Sequence, residues 1–300
     1  MIIQVSAHSL QEMGQRNNQE DSLYPSIGQN SDLDLFILCD GMGGHEAGEV
    51  ASQTVCEAMS QYILFHRRRD GMFDNSDFQA ALHFAYDALD AKDNGAEKKM
   101  GTTLTFVMFH KGGCFLAHIG DSRIYHIRPT TKEIMYVTRD HSLVNDLITL
   151  GELTEKEART SRQKNVITRA MQPHQDCRTQ ADWINLTDLR EGDYIYMCSD
   201  GMLENSEDEE IVNILSMRRT DAEKIEIFRG ATKNNRDNHS AHLIRVVSVS
   251  PDVENIVSDS SSILVSRQSE RRGKSKGFLI SAIVLAVLLV VLLLLRWIKY

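Results

Sequence analysis

The sequence predicts a mixed α+β domain followed by one membrane-spanning helix. Short apolar runs of strand character alternate with stretches of helical spacing over residues 1–250. Hydrophobic residues are 42% and charged residues 25% of the 300, which is ordinary for a chain that buries a core. Phe278 to Leu295 is an 18-residue stretch without a charge, about the length that crosses the hydrocarbon of a bilayer.

Taken in order, residues 1–10 read as a strand, and the polar stretch 14–25 carries Arg16, Glu20 and Asp21. Leu35 to Cys39 is an apolar run that stops at Asp40-Gly41, which fits a buried strand ending in a turn. Residues 46–66 place Ala47, Val50, Ala51, Val55, Ala58, Met59, Tyr62 and Ile63 at helical spacing, with Glu46 and Glu49 suited to its N-terminal end. Phe78 to Leu89 repeats the pattern. From residue 101 the period changes: GTTLTFVMFH and CFLAHIGDSRIYHI predict two strands about a Lys111-Gly112-Gly113 turn, the second running into Gly120-Asp121. Residues 141–171 are polar, helical in flavour and without a long strand, as an inserted subdomain would be. Strands return at 180–186 and 193–198, the latter entering Asp200-Gly201; helices are expected at 208–216 and 221–234, and His242 to Val249 closes the domain as a strand.

Residues 251–277 are rich in Ser and end in a basic cluster, the composition of a linker, and the membrane helix is expected over 278–297. Arg267, Arg271, Arg272, Lys274 and Lys276 precede the apolar run, and only Arg296 and Lys299 follow it. That asymmetry places the N-terminal domain in the cytoplasm, tail-anchored to the membrane. The net charge of -9 argues against a nucleic-acid partner. Five cysteines without a CxxC pair, three of them in apolar runs, read as buried free thiols in a reducing compartment.

Four acids share one context. Asp40, Asp121 and Asp200 each follow an apolar run at a turn, and Asp237 lies in the short loop before the last strand. Any one alone reads as a turn residue. Carboxylates gathered at neighbouring strand ends repel unless a cation holds them. Their hard oxygens favour Mg2+ or Mn2+, and a pair of such ions suits displacement at phosphorus by a bound hydroxide.

The motifs in order are Arg16-x3-Glu20-Asp21, DGMGGHEAGEVAS at 40–52, GTT at 101–103, HIGDSRIY at 118–125, TRDHS at 138–142, ITRAM at 167–171, CSDGM at 198–202 and RDNHS at 236–240. Each is weak alone; together, in this order, they resemble the metal-dependent protein phosphatase family of the PP2C type, over residues 1–249. The resemblance implies a central sandwich of two antiparallel β-sheets flanked by α-helices. It implies hydrolysis of phosphoserine and phosphothreonine proteins by a water held between two divalent metals, Mn2+ or Mg2+, in a monomeric catalytic domain. Residue by residue, it makes Asp40 the ligand shared by both metals and assigns one of them the Gly41 carbonyl. Asp200 and Asp237 would complete one shell, with Glu20 and Asp21 on the other. Arg16 would hold the substrate phosphate, and Asp121 with Asp200 would form a third, weaker site. The 141–171 insert would be the flap that affects substrate choice. Met42 stands where animal members carry a histidine proposed as general acid, and that role is not transferred to His45. A catalytically weak phosphoprotein-binding module at the membrane is the alternative expectation. The anchor suggests substrates at the membrane, a membrane-bound serine/threonine kinase among them.

Overall fold

The computed structural model describes residues 1–251 apart from 29–33, 44–45, 94, 96–98 and 164–165. The chain divides after Ser250. The linker and the predicted membrane helix lie outside the described residues. Among those described, no helix is long and apolar enough to cross a membrane.

Among the described residues, eleven strands form two antiparallel sheets. One has the order β1-β11-β10-β7-β8, built from β1 (Ile2–Glu12), β7 (Arg123–Arg128), β8 (Glu133–Val137), β10 (Tyr194–Cys198) and β11 (His239–Ser250). The other has the order β2-β3-β5-β6-β9, from β2 (Asp21–Tyr24), β3 (Leu35–Met42), β5 (Leu104–His110), β6 (Gly113–Ile119) and β9 (Asp182–Leu186), with the short β4 (Gly101–Thr102) paired to β3.

Three apolar layers explain the composition of the strands. Successive side chains of a strand face opposite sides, and here both sides are covered. Along β3, Leu35, Ile37 and Cys39 pack against helices α1 (Glu46–Phe65) and α2 (Asn75–Asp90). Phe36 and Leu38 face the other sheet, where they meet Val107, Leu116, Ile195, Met197 and Ile244. Along β10, Tyr194, Tyr196 and Cys198 pack with residues of α5 (Asp208–Leu215) and α6 (Asp221–Thr232), while Ile195 and Met197 point inward. Two-sided burial is why these strands read as continuous apolar runs rather than alternating ones. The chain is therefore a helix–sheet–sheet–helix sandwich, as the resemblance implied.

The structure corrects several local expectations. The second strand of the 101–127 region ends at Ile119, and RIYHI re-forms as β7 in the opposite sheet. Gly120 makes the break: its φ is +107°, and a Cβ there would lie 2.5 Å from Thr103 Cγ2. Two strands were not legible. β2 has four residues, and β8 alternates exposed and half-buried side chains among polar neighbours. Among its described residues the insert holds the short helices α3 (Leu143–Thr149) and α4 (Glu155–Thr160), in keeping with its helical flavour. His118 and His126 are buried and hydrogen-bonded, to the Arg139 carbonyl and to Asp193. Cys39, Cys56, Cys114 and Cys198 are buried free thiols, and Cys177 is exposed.

A buried histidine in β11 makes one consequence measurable. His242 is fully buried, hydrogen-bonded to Ser9 Oγ at 2.7 Å through Nδ1 and to the Ile37 carbonyl at 3.3 Å through Nε2. Burial pushes its pKa down to about 4. Between pH 6.5 and 4 the unfolded chain takes up this proton and the folded chain does not, so the folded state loses stability as pH falls through that window. The total is about 3 kcal/mol, at about 1.4 kcal/mol for each pKa unit. In urea titrations from pH 7 to 4, the parent should lose that much more stability than His242→Gln; parallel curves would refute the assignment.

Candidate metal centre

The acids meet where the two sheets open at one end. Asp40 lies near the end of β3, and its backbone is fixed by the GTT segment: Asp40 N–H donates to Thr103 Oγ1 at 3.0 Å, and its carbonyl accepts from Thr103 N at 2.9 Å and Thr102 Oγ1 at 3.0 Å. Asp21 is its register partner on β2. Asp200 opens the 3-10 turn Asp200–Leu203 that follows β10, and Asp237 directly precedes Asn238, which leads into β11. Asp121 follows Gly120 at the turn out of β6.

Close backbone packing brings these segments together, and glycines permit it. A Cβ on Gly41 would lie 2.1 Å from the Gly48 carbonyl oxygen and 2.7 Å from that of Glu20, which accepts from Gly41 N–H at 3.0 Å. A Cβ on Gly201 would lie 2.0 Å from the Asn238 carbonyl oxygen. No side chain fits either place.

Asn238 joins the N-terminal segment to the last loop. Its Oδ1 accepts from Glu20 N–H at 2.8 Å, and its Nδ2 donates to the carbonyls of Met13 at 2.8 Å and Asn18 at 3.0 Å. Arg16 is thereby held beside Asp237, to whose Oδ2 its Nη2 donates at 2.6 Å. That bond is the largest cause of the raised Arg16 pKa, and Glu20 and Asp40 add to it.

The electrostatics are those of crowded anions. Asp40 is pushed well above the usual carboxylate range, first by loss of hydration and then by Asp21, Asp200, Asp121 and Asp237. Asp21 and Asp121 are each pushed up to about 7, burial being the main cause in both. Asp200 is raised by burial and by Asp237. Ser199 Oγ donates to Asp21 Oδ2 at 2.9 Å, but Asp21 Oδ1 and Asp121 Oδ1 are buried with no hydrogen-bond partner. A buried, unsatisfied carboxylate oxygen is costly. Divalent cations bound by oxygen ligands would satisfy these oxygens and lower the repulsion, so the donor set fits Mg2+ or Mn2+.

All the sequence-predicted residues are accounted for. Asp40, Asp21, Asp200, Asp121 and Asp237 form one mutually interacting group, and Arg16 and Glu20 stand against it. Gly41 adjoins through its backbone. His45 lies outside the described residues. Sequence reasoning missed Thr102, Thr103, Ser199 and Asn238 as supports. They sit inside or beside the quoted motifs, but only contacts across the fold show what they hold.

The sequence profile of the family described as Protein phosphatase 2C matches residues 12–244. The serine/threonine protein phosphatase PstP of Mycobacterium tuberculosis is 34% identical over 204 residues, which are 67% of this chain and 37% of that protein. The protein phosphatase PhpP of Streptococcus pneumoniae is 31% identical over 223 residues, 72% of this chain and 87% of that one. The solved catalytic domain of a PstP in complex with two manganese ions is similar with a TM-score of 0.66 and 29% identity, covering 82% of this chain and all of that domain.

Proposed function

The chain belongs to the protein phosphatase 2C family, and from that premise we propose that its acidic cleft hydrolyses phosphoserine and phosphothreonine in proteins at the cytoplasmic face of a membrane. It is a metal-dependent serine/threonine phosphatase, with Mn2+ or Mg2+ as cofactor. The observation that carries the reading is the group of five interacting aspartates, two of them with orphaned buried oxygens, with an arginine at the rim.

Asp40 is the acid that interacts with all the others and would hold both ions, aided by the Gly41 carbonyl; Asp200 and Asp237 would serve one ion and Glu20 and Asp21 the other. Asp121 would serve a third. Bound ions supply Lewis acidity and a water ionised at neutral pH. The chain's own work is to position and to compensate charge. Thr102 and Thr103 hold the Asp40 backbone, and Ser199 holds one Asp21 oxygen. Arg16 is half exposed, and its planar fork matches two phosphate oxygens. A phosphate at the rim would compete with Asp237 for that fork.

The test is release of phosphate from a phosphothreonine peptide, expected with Mn2+ and abolished by EDTA. Phosphopeptide binding without metal-dependent turnover would instead identify a catalytically weak binding module.

The basic residues before Phe278 and the apolar run after them support a tail anchor, residues 251–277 being the linker and 278–297 the membrane helix. A linker of this composition spans on the order of 30 Å, so membrane-associated phosphoproteins, a serine/threonine kinase among them, are within reach. Removing residues 267–300 should leave turnover of a soluble peptide unchanged and shift the protein from the membrane fraction to the supernatant. Retention on membranes would sink the anchor.

A further inference from the structure

A second cluster of potential ligands lies beside the acids. Among the described residues, His118, His141 and Asp182 bring ligand atoms within 4.8 Å of one another. Their hydrogen bonds exclude a simple metal site. Gly120 N–H donates to His141 Nδ1 at 3.1 Å, so that nitrogen carries no proton. The neutral ring then carries its proton on Nε2, which faces Asp182 Oδ2 at 3.2 Å; Arg169 Nη1, 3.3 Å from the same nitrogen, is then a neighbour and not a hydrogen-bond donor to it. A metal on Nε2 would need the anionic ring. Arg169 Nη1 already supplies positive charge there, 3.1 Å from Asp182 Oδ1. His118 directs Nε2–H to the Arg139 carbonyl at 2.9 Å, and its ring stacks on His141 with centroids 4.4 Å apart, which keeps the two rings nearly parallel instead of converging on one point.

What the cluster does is grip one residue. His141 N–H donates to the Gly120 carbonyl at 2.9 Å while its ring accepts from Gly120 N–H, so both polar groups of Gly120 are held by one side chain and its own backbone. Asp121, with its orphaned oxygen, is the next residue. The His141 carbonyl accepts from Thr168 N–H at 2.9 Å, and Ser142 bridges to Ile167. The other end of the 141–171 insert is tied in the same fashion: Met171 and Thr102 exchange backbone hydrogen bonds of 2.9 and 3.0 Å, and Thr102 Oγ1 donates to the Asp40 carbonyl.

We propose that His141 is a positioning residue: by clamping Gly120 it sets the Asp121 carboxylate toward the other acids and ties it to the base of the 141–171 insert. Asp182 holds the imidazole in the tautomer that the clamp requires, as an outer carboxylate does for a working histidine. The inference rests on Asp121 being a metal ligand.

Two substitutions separate the clamp from mere packing. An asparagine at 141 can place its amide oxygen near the position of Nδ1 and keep the bond from Gly120; a glutamine reaches toward Asp182 and loses it. Calorimetric titration of the full chain in detergent with Mn2+ should show the weakest bound ion weakened about tenfold or more in His141→Gln, and close to the parent in His141→Asn. A packing role would instead lower the Tm of both and leave ion binding alike. Asp182→Ala, at an exposed carboxylate, gives a second measurement if the glutamine variant does not fold: the same ion should weaken by a smaller factor. Equal ion binding in the Asn and Gln variants, or an unchanged titration in Asp182→Ala, would overturn the inference. Asp121→Asn separates the premise. If that variant binds Mn2+ like the parent, Asp121 is no ligand and both readings fall. If it weakens the ion and His141→Gln does not, the positioning role alone falls.

Discussion

Asp40→Asn is expected to lower phosphopeptide turnover by about 10³-fold or more, on the scale of removing a principal charge-stabilising group from an active site, and at the same time to raise the Tm of the metal-free protein. The two effects have one cause. Asp40 is the acid on which Asp21, Asp200, Asp121 and Asp237 all act, and its carboxyl is driven well above the usual range by them and by burial. The amide keeps the shape and leaves the backbone bonds to Thr102 and Thr103 in place. It removes an acid that must either ionise among repelling neighbours or hold a proton at a cost, and with it the ligand that both ions would share. About 1 kcal/mol of relieved repulsion would shift the Tm of a domain this size by about 2–4 °C. Turnover with Mn2+ and calorimetry in EDTA, on the same preparation, decide the matter. An inactive variant with a lowered Tm would show damage to the fold, and an active one would remove Asp40 from the mechanism.

The stabilisation conferred by Mn2+ should grow steeply from pH 5 to pH 8. Asp21 and Asp121 are each raised to about 7 in the folded, metal-free chain, against about 3.9 in an unfolded one. A group raised in this way contributes stability that is fully present below the unfolded value and is lost as pH rises through the folded one. Metal-free protein therefore weakens from pH 4 to pH 7, opposite in sign to the His242 effect, which is why that effect is read as a difference between parent and variant. Ions held by these acids would bind their deprotonated forms and so gain affinity over the same window; binding to the folded state alone raises the Tm by mass action. Scans with saturating Mn2+ and with EDTA should give a gap that widens with pH and narrows in Asp121→Asn. A gap constant across that range would show that these carboxylates are ionised without metal, against the geometry of Asp21 and Asp121 in their buried places.

The chain's neighbours in sequence determine strand and helix, and those were largely legible. The runs at Leu35–Cys39 and Tyr194–Cys198 lie inside strands covered on both faces, where a residue buried on either side must be apolar whatever lies beyond it; His242–Val249 also lies inside a strand, buried on both faces only as far as Ile244. The spacing at 46–66 and 78–89 falls within α1 and α2 to within a few residues. The strand-end acids were legible for the same reason: a charge closing an apolar run is conspicuous against its neighbours. β2 and β8 were not, being too short or too polar to show a period.

Tertiary structure alone decided who meets whom. Nothing local tells that Asp21 pairs with Asp40 across two strands, that the turn at Gly120 sends the chain into the other sheet, or that Asn238 reaches back some 220 residues to seat Glu20. Nor does composition reveal that two histidines near a turn are buried, one of them closed around Gly120. Those meetings depend on how the apolar layers pack, and a layer is filled by residues far apart in the chain. The acids were named by the sequence; their crowding, which gives them their chemistry, exists only once the sheets have closed.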